Sequence, residues 1–144
     1  MIIITGTGRS GTSFISNFLL KIGINFGPSD QLIKGDSLNS NGYFENLNVV
    51  KLNSKLLLGL RGSKLIFSEK NNRLENLLLT FLKSKYVFTN TSKIYHRALK
   101  YKNEIKNLHS FLRGIAVKDP RFSSTIGAWN RLVTIDKILY CYRE

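Results

Sequence analysis

Near the start of the chain, Gly6-Thr7-Gly8-Arg9-Ser10-Gly11-Thr12-Ser13 combines three glycines, one cation and four hydroxyls in eight residues. That mixture suits a phosphate-like anion. Glycines let a ligand approach the main chain, N–H groups and hydroxyls donate to its oxygens, and arginine balances its charge. Farther on stand Glu45, a carboxylate able to take a proton from a hydroxyl, and Lys118, a cation that closes an apolar run. Arg143 supplies a further charge near the end. His96 and His109 have no Cys, Asp or Glu at ligand spacing, so they are expected to be surface or partly buried histidines, and no metal site is expected.

The elements that must position these residues follow from the pattern around them. Met1 to Ile4 is apolar and mostly β-branched, which predicts a short buried strand. After the glycines, Phe14, Ile15, Phe18, Leu19 and Ile22 recur at helical spacing and predict an apolar helix face. The order strand, glycine loop, helix puts unpaired N–H groups and the positive end of the helix dipole at the ligand. An ATP-type P-loop reads GxxxxGK followed by Ser or Thr. Gly6, Gly11 and Ser13 fit that frame, but Thr12 fills the lysine slot and the cation has moved into the loop as Arg9.

The variant GTGRSGTS after an N-terminal strand resembles the 5′-phosphosulfate loop of the sulfotransferase family. Those enzymes are P-loop relatives that use 3′-phosphoadenosine 5′-phosphosulfate (PAPS) as co-substrate. Gly42-Tyr43-Phe44-Glu45-Asn46 resembles a segment that opens the second helix close to the sulfate in bacterial members. Lys118-Asp119-Pro120-Arg121 resembles the family's second signature, placed after a buried strand. The resemblance implies that Gly8, Arg9, Ser10, Gly11, Thr12 and Ser13 bind the phosphosulfate, with Arg9 also catalytic. It implies that Arg143 binds the nucleotide 3′-phosphate, that Lys118 orients sulfate or acceptor, and that no metal is needed. Glu45 suits a general base and equally a favourable charge in the first turn of a helix; both readings stay open.

The rest of the chain is read in order. Gly23 to Asp30 ends the first helix, and Asp30 to Gly42 is a polar connection long enough to be functional. A helical pattern runs through Leu47, Leu52, Leu56 and Leu60, and Gly62 to Phe67 is expected to be a short extended piece. Helices are predicted over 73–86 and, as one unbroken element, over 92–112. Ile115-Ala116-Val117 predicts the second strand, with polar KDPR at its carboxyl end facing the ligand crevice of an α/β sheet. A helix over 122–132 and a third strand over 135–142 follow. The expected fold is α/β: a P-loop NTPase-like, mostly parallel sheet of strands near 1–5, 114–118 and 136–142, flanked by helices.

Composition bounds the class. The chain has 144 residues, fits one domain, and is 42% hydrophobic. One cysteine, Cys141, excludes a disulfide framework. A strand beginning at Met1 leaves no room for a signal peptide and no apolar run spans a bilayer, so a cytoplasmic protein with no membrane partner is expected. The formal charge of +13 and pI near 10.1 suit an anionic ligand. Lysines are scattered without an aromatic-interleaved basic motif, which argues against nucleic acid as the partner. A small-molecule or glycan acceptor is expected. The family's later Ser and closing loop have no counterpart, so the domain is expected to be truncated at its C-terminus: the gene is cut short, the sequence is a fragment of a longer chain, or an oligomer or a partner supplies the remainder. Two other readings stay open: a kinase-like P-loop protein, and a non-catalytic P-loop domain that binds nucleotide or nucleic acid.

Overall fold

Four β-branched residues and a glycine, Ile2–Gly6, form β1, the middle strand of a three-stranded sheet ordered β2-β1-β3. The structure is a computed structural model and describes residues 1–7, 10–35, 42–66 and 89–142. β2 (Ala116–Lys118) runs parallel to β1, with Ile2 opposite Ala116 and Ile4 opposite Lys118. β3 (Lys137–Cys141) runs parallel on the other side, from Ile2 opposite Lys137 to Gly6 opposite Cys141. Parallel neighbours need long crossovers. They contain α1 (Thr12–Lys21), α2 (Leu47–Ile66), α3 (Thr91–Lys100) and α4 (Lys102–Phe111) before β2, and α5 (Phe122–Asn130) before β3. The chain is therefore an α/β protein with a small parallel sheet flanked by helices, as its patterning predicts.

Strand alternation divides the core into two layers. Ile3 and Val117 face a layer built from Val49, Leu52 and Leu56 of α2, Ile94 and Ala98 of α3, Ile105 of α4, and Phe122 and Trp129 of α5. Ile4 and Ala116 face the other way, onto Phe26, Phe44 and Leu19 of α1. β1 and β2 are thus covered on both faces.

Several expectations are corrected. α1 forms where predicted, yet its fully buried positions are Thr12 and Ser16, while Phe14, Phe18 and Ile22 are exposed. Short side chains let α1 lie close to β1 and β2, and the apolar stripe is left on the outside. The predicted extended piece after Arg61 is instead helical through Ile66, following a break at Gly59, where φ is 76° and ψ is 176°. The single helix expected over 92–112 is two, because Tyr101 leaves helical geometry at φ −102°, ψ 19°. No Pro or Gly marks that break, so the periodicity runs straight through it. β3 pairs in register but is largely exposed. The helix predicted over 73–86 lies outside the described residues. Among the described residues no helix is long and apolar enough to cross a membrane.

The first residue is tied to the third strand. The Met1 ammonium pairs with the Asp136 carboxylate, and Asp136 N–H donates to Met1 C=O at 3.1 Å. The ammonium holds the Asp136 carboxyl below its ordinary range, first through the hydrogen bond and then through charge. A depressed carboxyl pKa stabilises the fold above the unfolded value, about 3.9, and that contribution fades as pH falls through the folded value. Thermal melts should therefore separate wild type from Asp136→Asn at neutral pH, and the two should converge well below pH 4; a gap that persists in acid would contradict the pairing.

Candidate functional site

The loop between β1 and α1 is shaped by two glycines for different reasons. A Cβ on Gly6 would sit 2.2 Å from the Cys141 carbonyl oxygen and 2.6 Å from Ser10 Oγ, so only glycine lets β1 and β3 close at their ends. Gly11 is the N-cap of α1 at φ 85°, ψ 11°, a left-handed conformation that favours glycine. Among the described residues no side chain caps α1. Its first N–H groups are therefore left to a ligand or solvent, since the opening turn of any helix has no internal acceptors. Ser10 N–H closes a turn onto Thr7 C=O at 3.2 Å. Ser10 Oγ is buried and has no hydrogen-bond partner among the described residues. Thr12 is buried and Ser13 half-buried in the first turn of α1. Gly8, Arg9 and Arg143 lie outside the described residues.

The second half of the site grows from the end of β2. Lys118 is the last residue of that strand and sits beside Ile4, two residues before the loop begins. Asp119 N–H donates to Ile4 C=O at 3.1 Å, and the Thr5 hydroxyl donates to Asp119 C=O at 3.0 Å. These bonds lock the KDPR turn against the base of the glycine loop. Alternation sends Lys118 toward the Phe44 layer and Asp119 toward α2 and α5. Lys118 and Asp119 are both buried.

Glu45 reaches this edge from the segment preceding α2. Ile33 N–H donates to Glu45 C=O at 2.9 Å, and Leu32 bridges Asn46, which folds the described ends of the 30–42 connection back on themselves. Phe44 is held at φ 56°, left-handed for a bulky residue, with its ring buried 5.6 Å from that of Phe26. Such a conformation costs of order 1–3 kcal/mol and persists only where packing over-determines it. Its neighbours converge on one cation: the Glu45 carboxylate lies 2.7 Å from Lys118 Nζ, and the Tyr43 ring centroid 5.9 Å from it.

Glu45 stands two residues before α2 rather than in its first turn. Asn46 is the residue that caps α2, its Oδ1 accepting from the N–H groups of Asn48 at 3.0 Å and Val49 at 3.3 Å. Glu45 instead pairs through Oε1 with Lys118 and through Oε2 with Arg121 Nη1 at 3.2 Å. Arg121 Nη1 also reaches Asp119 Oδ1 at 2.9 Å. Removing one partner from so buried a group leaves an uncompensated charge and typically costs 3–5 kcal/mol. The structure thus brings Glu45 and Lys118 together and adds Arg121 and Asp119, which the sequence marks only as members of KDPR.

Other titratable groups fall outside this cluster. His109 sits on α4 and contacts Thr134 C=O at 2.7 Å through Nε2, while His96 is exposed on α3. Cys141 ends β3 opposite Gly6, and burial pushes its thiol above the ordinary value, so it stays protonated at neutral pH. A cavity of about 330 Å³ between α3 and α5, lined by Tyr95, Ser124 and Arg131 among others, shares no residue with the sheet edge. Buried charges of both signs lie instead on the sheet edge that carries the glycine loop. Among the described residues no group of three His, Cys, Asp or Glu could hold a metal.

Fold and site together define an α/β protein whose parallel sheet carries a glycine loop and a buried ionic cluster on one edge. No family model matches the chain, and searches of curated proteins and of solved structures find no match.

Proposed function

We propose that the chain is a sulfuryl-transfer domain on a P-loop-like frame, taking its donor group from PAPS and delivering it to a hydroxyl or amine of a small-molecule or glycan acceptor. One observation carries the reading: the Glu45–Lys118–Arg121 cluster stands on the same sheet edge as a glycine loop that has a threonine where ATP chemistry wants lysine. Two features of the described part of the loop support a phosphosulfate as its ligand. A buried, unpartnered Ser10 hydroxyl and the uncapped first turn of α1 are donors without an acceptor among the described residues.

The co-substrate supplies the sulfuryl group and departs as 3′,5′-bisphosphoadenosine. The residues of this chain do the remaining work. Backbone N–H groups at the start of α1, with the Ser10, Thr12 and Ser13 hydroxyls, hold the anion. Arg9 offsets charge on the bridging oxygen, and Arg143 binds the 3′-phosphate. Glu45 takes the acceptor proton; a carboxylate offers about four lone-pair positions, so about two remain for a hydroxyl after Lys118 and Arg121 have bound. Protonation of Glu45 loosens its hold on Lys118, whose ammonium is then available to the charge developing beside it.

The test is transfer of labelled sulfuryl from PAPS. Arg9→Ala should lower the rate by about 10²–10³-fold, the usual loss for one preorganised donor. An unchanged rate removes Arg9 from the mechanism.

A further inference from the structure

Asn53, on α2, is fully buried and uses each end of its amide for a different layer of the protein. Its Nδ2 donates to Asp119 Oδ2 at 2.8 Å. Its Oδ1 accepts from Thr125 Oγ1 at 2.9 Å and from Trp129 Nε1 at 2.9 Å, two buried residues one turn apart on α5. The amide can sit only one way round. An indole N–H only donates and a carboxylate only accepts, so oxygen must face Trp129 and nitrogen must face Asp119. No other residue type satisfies both sides in this space. Leucine would orphan two buried polar groups, Asp119 Oδ2 and Trp129 Nε1, while the Thr125 hydroxyl would keep the Arg121 carbonyl at 3.1 Å; aspartate would set a carboxylate against a carboxylate.

Asp119 is held on its other oxygen by Arg121, through the backbone N–H at 2.9 Å and Nη1 at 2.9 Å. That same Nη1 meets Glu45 Oε2. A continuous chain of hydrogen bonds therefore runs from the α5 residues through Asn53, Asp119 and Arg121 to Glu45. Its last link is Lys118.

We propose that Asn53 is a positioning residue for this site: pinned by Thr125 and Trp129, its amide fixes the rotamer of Asp119, Asp119 fixes the Arg121 guanidinium, and Arg121 fixes the carboxylate that accepts the proton. Asn53 touches no reacting atom. The catalytic consequence rests on the sulfuryl-transfer reading; the geometric one does not.

Two variants and two kinds of readout test it. Asn53→Ala removes the pivot, and Thr125→Val removes one of its two anchors while keeping side-chain size. With PAPS, Asn53→Ala should cut turnover at least tenfold and Thr125→Val about threefold, with bisphosphoadenosine affinity held within about twofold. A merely structural role predicts that turnover and affinity fall together, and either that result or unchanged turnover overturns the proposal. In the ligand-free protein, the nitrogen NMR signals of the Arg121 guanidinium and of the chain's single indole N–H, Trp129, should both move in each variant. If wild type fails to bind the bisphosphate, the functional reading falls and these signals decide the positioning claim alone: an Arg121 signal unmoved by Asn53→Ala or by Thr125→Val overturns it.

Discussion

Gly6→Ala should cost the protein about 3 kcal/mol or more, at the upper end for overpacking, and should weaken nucleotide binding along with stability. The added methyl group would lie 2.2 Å from the Cys141 carbonyl oxygen, a main-chain atom that cannot rotate away. Relief requires β3 to shift from β1 at the last pair of their register, or the Thr7–Ser10 turn to open. For a chain of this size such a loss lowers Tm by roughly 6–12 °C. Thermal unfolding with and without 3′,5′-bisphosphoadenosine reads both effects, and an unchanged Tm would mean that the loop does not close against β3 as described.

Glu45→Gln should have the larger effect on rate. Glutamine keeps the size of the side chain and an oxygen for Lys118, but it cannot take a proton at neutral pH. Loss of a general base typically lowers a rate by 10²–10⁴-fold. Binding of the bisphosphate, which uses the glycine loop, should change less than about threefold. Stability falls as well, since the Lys118 ammonium stays buried opposite a neutral amide; the cost is bounded by about 3–5 kcal/mol for a broken buried pair. A melt beside the kinetic assay separates the two losses. Full activity in a folded Glu45→Gln protein would send the base assignment elsewhere and leave Glu45 as a structural partner of Lys118 and Arg121.

Much of this was legible in the sequence because it is local. Isoleucines followed by glycines and hydroxyls make β1, the loop and α1 wherever they occur, and Pro120 after Ile115-Ala116-Val117 ends β2 and starts α5. Parallel pairing then brings Lys118 beside Ile4. What stayed hidden depends on contacts far apart in the chain. Periodicity gave α1 an apolar stripe, but which face is buried depends on how near the sheet lies, and closeness favoured Thr12 and Ser16. Asn53 reads as one more polar residue of a helix until Asp119 and Trp129 are brought to it. Phe44 carries no sign in the sequence of its left-handed backbone, seen only where its ring packs beside Phe26. Tyr101 breaks a helix without a helix-breaking residue.

The order of these effects matters for function. The ionic cluster at the end of β2 is built into the fold, with Glu45, Lys118, Asp119 and Asn53 all buried. A protein that needed only stability could fill such space with apolar side chains at equal or lower cost. Two acids, Glu45 and Asp119, and two cations, Lys118 and Arg121, on the edge that carries a glycine loop are what the proposed proton-transfer site would use.

The central claim is that this edge binds the nucleotide of a phosphosulfate donor, and isothermal calorimetry with 3′,5′-bisphosphoadenosine tests it most directly. The account predicts saturable binding in the micromolar range, about −8 kcal/mol, without added metal and with much weaker heats for ATP and Mg²⁺. Absence of binding at millimolar bisphosphate, or preference for ATP with Mg²⁺, would contradict it.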